Sequence, residues 1–214
     1  MRIKLILSAA FLLMTATTAN STVTFYTDFG SFDGASSATL VEDFEAYPAK
    51  DVPLGSIYSN GITYTPVGSA TNVWVSSPGY TNYGVPGPTT TSILTATGDE
   101  NFMITPDNAL SAIGFDTYPN AYVPALVSVF GSSGLLDTFD LTVLPNNQVG
   151  FLGITSTMAI TSVEWFTTAG GVLNTGIDNI YTQTYAAPAP SIAVLLASGL
   201  MMIGLGKRLT RRQA

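Results

Sequence analysis

Two short acidic stretches carry the side chains of this chain best suited to chemistry. Val41-Glu42-Asp43-Phe44-Glu45 sets three carboxylates within four positions, and Gly176-Ile177-Asp178-Asn179-Ile180-Tyr181 sets an Asp beside an Asn between apolar neighbours. Carboxylates serve as hard oxygen donors for divalent cations. Two of them held at a defined separation across a cleft hydrolyse glycosidic bonds, although no motif here singles out such a pair. A second group is aromatic: Tyr80 and Tyr83 lie in a Pro/Gly-rich stretch from Ser76 to Thr91, and Tyr118 and Tyr122 flank Pro119-Asn120. Sugars lay an apolar face on such rings, with nearby polar groups reading the hydroxyls; Asn82, Asn120 and Asp116 are placed to do so. The same acids also read as solvent-facing strand residues, and the same tyrosines as ordinary loop packing. Trp74 and Trp165 fall in strand-like patterns and are expected in the core.

Composition removes several classes of activity. The 214 residues contain no histidine and no cysteine, which excludes Ser-His and Cys-His nucleophiles and imidazole zinc sites. No phosphate-binding glycine loop or metalloprotease motif is present. Of seven basic residues only Lys50 lies between the termini, against fourteen acids, so that region carries a net −13. Nucleic acid and anionic lipid are poor partners for such a surface; neutral glycans and divalent cations suit it better.

Strands separated by turns must position these groups. Period-two alternation is clearest from Asp137 to Val143, where Phe139, Leu141 and Val143 are expected on one face. Similar runs include Thr63–Tyr64, Val73–Val75, Asn101–Thr105, Ile113–Thr117, Leu126–Phe130, Gln148–Ile154, Ile160–Phe166 and Ile177–Thr182. Turn signals such as Asn60-Gly61, Ser133-Gly134 and Gly170-Gly171 separate them. About ten short strands predict an all-β, antiparallel, jelly-roll-like sandwich over residues 22–185, with one short helix near Ser31 to Ala38. About 165 residues suffice for one domain with a core of its own.

The two ends read as addresses. Met1 to about Ser21 has the form of a signal peptide: Arg2 and Lys4, an apolar run from Leu5 to Met14, then small residues, with cleavage expected after Ala19. From 186 to 214 three parts follow in order. Pro188-Ala189-Pro190 opens a rigid entry, residues 192–206 form an uncharged apolar span, and Lys207, Arg208, Arg211 and Arg212 make a basic stop. As a helix the span is about 22 Å long, short of a hydrocarbon core of roughly 30 Å. It crosses if the bilayer thins and the basic side chains snorkel, leaving the tail inside and the domain outside. This end resembles the PEP-CTERM sorting signal of Gram-negative bacteria, with Ala189 where the family has glutamate. The resemblance implies export machinery and signal peptidase, an exosortase-like processing enzyme, and delivery to the cell surface or extracellular matrix, often beside polysaccharide. A simple single-pass anchor is the alternative.

The Asp-Phe-Glu stretch early and the Ile-Asp-Asn-Ile stretch late resemble the first and last strands of jelly-roll carbohydrate-binding modules. That resemblance implies neighbouring strands and a structural Ca²⁺ with Glu45 and Asp178 as ligands and Asp43 as a third. The expectation overall is an exported, non-catalytic surface protein whose sandwich binds glycan. A purely structural or adhesive protein without a ligand, and a carboxylate-dependent glycoside hydrolase, are the other two readings.

Overall fold

Alternating side chains need two surfaces to bury against each other, and the computed structural model supplies them as two antiparallel sheets. It describes residues 22–79, 90–98, 100–121, 125–145, 148–167, 173–174 and 176–187. The first sheet contains β1 (Val23–Tyr26), β2 (Thr39–Glu42), β5 (Val73–Ser76), β6 (Ile93–Ala96), β8 (Leu110–Thr117), β12 (Gly150–Ile160) and β15 (Gly176–Thr184). Its order is β1-β12-β8-β15-β6-β5, and β2 joins β15 on the edge that β6 also uses. The second contains β3 (Ile57–Ser59), β4 (Ile62–Pro66), β7 (Phe102–Pro106), β10 (Ala125–Gly131), β11 (Gly134–Asp140) and β13 (Ser162–Thr167), in the order β11-β10-β13-β7-β4-β3. A ribbon of β9 (Asn120–Ala121) and β14 (Leu173–Asn174) completes the strands.

The inward faces make one apolar core. Ile113, Phe115, Leu152, Ile154 and Ile177 of the first sheet meet Tyr64, Ile104, Val127, Val163 and Trp165 of the second, all buried. Burying such a side chain stabilises by about 1.5–3 kcal/mol. Trp165 lies where the sequence places it, stacked on Phe102 at 4.6 Å and touching Phe115 across the sheets at 4.8 Å. Trp74 does not: Val73 and Val75 take the inward positions of β5, and Trp74 between them faces outward, half-buried.

The helix is α1, Phe29–Ala35, two residues ahead of its expected start, because Asp28 caps it by accepting from the Ser31 amide at 2.8 Å. α1 lies on the outer face of the first sheet and sinks Phe32 into a socket left by two missing side chains. Gly114 and Gly153 are cross-strand partners on β8 and β12. A Cβ on Gly153 would come 2.5 Å from the Phe32 ring, and one on Gly114 would come 2.7 Å from it.

The run from Asp137 to Val143 needs correction. Strand β11 ends at Asp140, whose carboxylate accepts from the Thr142 amide at 2.9 Å and opens a 3₁₀ turn, Leu141–Val143. The turn breaks the alternation: Leu141 is buried in the core against which Phe139 also packs, but Val143 is 65% exposed and does not share their face. At the β3–β4 hairpin, by contrast, Asn60 and Gly61 both have positive φ (46° and 78°), as the Asn-Gly signal of a type I′ turn requires.

Candidate functional site

The acidic stretches meet because the early strand and the last strand pair. Ile180 on β15 is the register partner of Glu42 on β2. Immediately after Glu42 the chain leaves the sheet, so Asp43, Phe44 and Glu45 form a turn and not the expected strand, with Phe44 at φ 56°. This turn carries Glu45 to the start of β6, where it accepts from the Ser92 amide at 2.6 Å and the Ser92 hydroxyl at 3.4 Å; Lys50 Nζ lies 3.6 Å away. Asp43 faces locally and accepts from the Glu45 amide at 3.1 Å.

Asp178 stands directly across from Asp116 on β8. Just beyond it β15 bulges at Asn179 (φ 49°), whose side-chain amide donates to Asp116 at 2.7 Å and whose main-chain N–H donates to Asp178 at 2.7 Å. Asp178 is 1% exposed. Burial pushes its carboxyl from 3.8 up to about 6; hydrogen bonds from Asn179 and Thr91 oppose the shift, and the charges of Asp116 and Glu45 add to it. Burial likewise raises Asp116, against the Asn179 hydrogen bond.

Tyr118 joins the same cluster. Burial pushes its hydroxyl up to about 12, with Asp178 and Asp116 contributing through their charge and a Thr91 hydrogen bond opposing. Its ring, however, is only 6% exposed, so it offers no open face to a sugar and its expected role as a platform is corrected. Tyr80, Asn82, Tyr83 and Tyr122 lie outside the described residues, as do Pro188, Ala189, Pro190, Lys207, Arg208, Arg211, Arg212, residues 1–21 and the 192–206 span. Asn120 is in β9. No helix among the described residues is long and apolar enough to cross a membrane.

As a calcium site the donor set is partial. Glu45 and Asp178 come near one another as the resemblance implies, but Asp43 does not turn toward them, and no group of three or more acids among the described residues converges to hold a metal. A cation here would complete its shell from main-chain carbonyls and water. As a hydrolytic pair Asp116 and Asp178 are adjacent, yet the burial of Asp178 denies a substrate access to its carboxylate.

Glu42 has a different task. Buried at 5% exposure, it accepts from the Phe44 amide at 2.7 Å, the Asn60 side-chain amide at 3.0 Å and the Ser59 hydroxyl. It therefore ties β2 in the first sheet to the hairpin of β3 and β4 in the second.

An accessible surface lies on the outer face of the second sheet, where no helix packs among the described residues. Strand register sets Ser128, Glu164, Met103 and Thr65 in one row, and Thr105, Thr63 and Tyr58 in the next. Tyr58 is 63% exposed and donates to Asp107 at 2.8 Å, which holds its hydroxyl above the ordinary tyrosine value; Phe166 is 43% exposed on the same face. Glu164 is half-buried, and that burial raises its carboxyl. The sequence reading passed over Tyr58 and Phe166. Their signal was parity: each stands out of phase with the inward residues Ile57 and Trp165.

No family model and no curated protein matches the chain. Among solved structures it is similar to mutant forms of CBM29-2, a family 29 carbohydrate-binding module. One aligns over 72% of this chain and 100% of that chain, at 12% identity and a TM-score of 0.35. Another, complexed with cellulohexaose, aligns over 77% of this chain and 92% of that one, at 11% identity and a TM-score of 0.33.

Proposed function

We propose that this chain is an exported, non-catalytic surface protein that binds neutral glycan on the open outer face of its second sheet. The supporting observation is that face itself: Tyr58 and Phe166 stand exposed on strands three spacings apart, about 14 Å, with Thr63, Thr105 and Glu164 between them, whereas the Thr65 hydroxyl is buried. Such a surface combines apolar rings for the flat side of a sugar with donors and acceptors for its hydroxyls. The net −13 between the termini favours uncharged chains over anionic ones.

The test is a glycan array probed with the purified full-length chain. Binding to neutral polysaccharide is expected, and Tyr58→Ala or Phe166→Ala should each weaken it about tenfold, or roughly 1.4 kcal/mol. An array without a hit overturns the reading. Loss of binding in Tyr80→Ala or Tyr83→Ala, with Tyr58→Ala unaffected, would move the site to the 76–91 loop.

A structural calcium ion at Glu45 and Asp178 is the second part of the proposal. It is supported by the closeness of like charges: Asp116 and Glu45 both act on the buried Asp178, and an ion there would offset that repulsion while displacing Lys50 from Glu45. Calcium at neutral pH should then raise the melting temperature of the wild type and leave Asp178→Asn unchanged; no shift in the wild type removes the ion from the model of function.

A further inference from the structure

Asn60-Gly61 is the one Asn-Gly pair in the chain. Its structural setting couples a common backbone reaction to the joint between the sheets. We propose that Asn60 is a self-modifying site, converted to aspartate or isoaspartate through attack by the Gly61 amide, and that the conversion releases the Glu42 clamp. The nitrogen of Gly61 bonds to Asn60 Cγ and gives its proton to solvent, the Cγ–Nδ2 bond breaks, and ammonia leaves. Water then opens the five-membered imide. Attack at Cγ gives aspartate; attack at the main-chain carbonyl gives isoaspartate.

Three observations carry this. Gly61 has no side chain to shield its nitrogen, and Asn60 is exposed at the tip of a hairpin whose first strand has only three residues. A groove of about 240 Å³, lined by Leu40, Val41, Asp43 and Ala46 among others, opens beside Asn60 and admits water. The leaving nitrogen is the very donor that Glu42 uses: Nδ2 lies 3.0 Å from Glu42 Oε2. While that bond holds, the amide is kept from the attacking nitrogen, so the reaction proceeds from the locally opened turn. After it, an acceptor replaces the donor and a second negative charge faces a carboxylate that is 5% exposed. Buried groups that lose a donor and gain a like charge are destabilised. Once made, the modification therefore keeps the turn from closing on Glu42.

The full-length chain, incubated folded at mildly alkaline pH and mapped by peptide mass, should show Asn60 converting while other asparagines persist. Denaturant should accelerate it several-fold. Asn60→Asp should lower the melting temperature by several degrees, and adding Glu42→Gln should recover at least half of that loss by restoring a donor opposite the new carboxylate. Persistence of Asn60 through an incubation that converts the denatured chain overturns the site. Conversion with Asn60→Asp melting like the wild type, or without recovery in the double variant, overturns the coupling to Glu42.

Discussion

Gly114 and Gly153 are empty positions that decide where a helix lies. Phe32 fills the space both leave, and a methyl group on Gly153 would overlap its ring at 2.5 Å. Gly153→Ala is therefore expected to cost about 1–3 kcal/mol by overpacking, measured by denaturant unfolding; a neutral result would mean that α1 shifts freely. Asp178 makes the opposite kind of statement, about charge. Its folded value of about 6 exceeds its ordinary 3.8, so the folded chain holds a proton that the unfolded chain has released. Stability should accordingly fall as pH rises between those two values and level off above them. In calcium-free buffer Asp178→Asn should flatten that slope, because the amide oxygen still accepts from Asn179 without carrying charge; an unchanged slope would assign it to other groups. The motif resemblance identified Glu45 and Asp178 as neighbours, and Asp116 and Tyr118 were singled out for another reason. What no pattern along the chain disclosed was that Asp116 and Tyr118 lie beside the buried Asp178, with the exposed Glu45 close enough for its charge to act there, because that depends on β8 and β15 pairing across about sixty intervening residues.

Elements were legible where their periodicity ran unbroken. The inward residues of β8, β10 and β13 follow the alternation read from Ile113–Thr117, Leu126–Phe130 and Ile160–Phe166. The reading failed where a local hydrogen bond overrode the pattern. Asp140 bonding its own chain two residues on converts the end of an apparent strand into a 3₁₀ turn. Asp28 similarly fixes the start of α1 earlier than hydrophobicity suggested. At seven residues α1 is too short to be stable alone and depends on docking. Phe32, fully buried against β12 and touching Tyr26 and Phe151, supplies that docking. Phe32→Ala should cost about 3–5 kcal/mol and expose the amides of α1 to hydrogen exchange before those of the sheet. Loss of protection across both sheets at once would show that α1 and the sandwich unfold as a unit.

At the scale of the whole molecule, charge and address belong together. All fourteen acids lie between the termini, and six of seven basic residues lie in the two terminal segments, so removing those segments would leave a strongly acidic product. Charge of one sign keeps such a product soluble and away from anionic surfaces. The order of Pro188-Ala189-Pro190, an apolar span and a basic tail in the sequence underlies the proposal of export and C-terminal processing, because a basic tail resists transfer across a membrane. If the proposed export and processing hold, the product should have lost its first nineteen or so residues and have a new C-terminus near Pro190, with the basic tail missing from its intact mass. Replacing Arg208, Arg211 and Arg212 together by Ala should weaken retention of the precursor in the membrane and send unprocessed chain to the medium. A product of full C-terminal length, firmly held in the membrane fraction, would instead make the segment a permanent anchor, and the proposed glycan-binding face would then act only where the cell itself is.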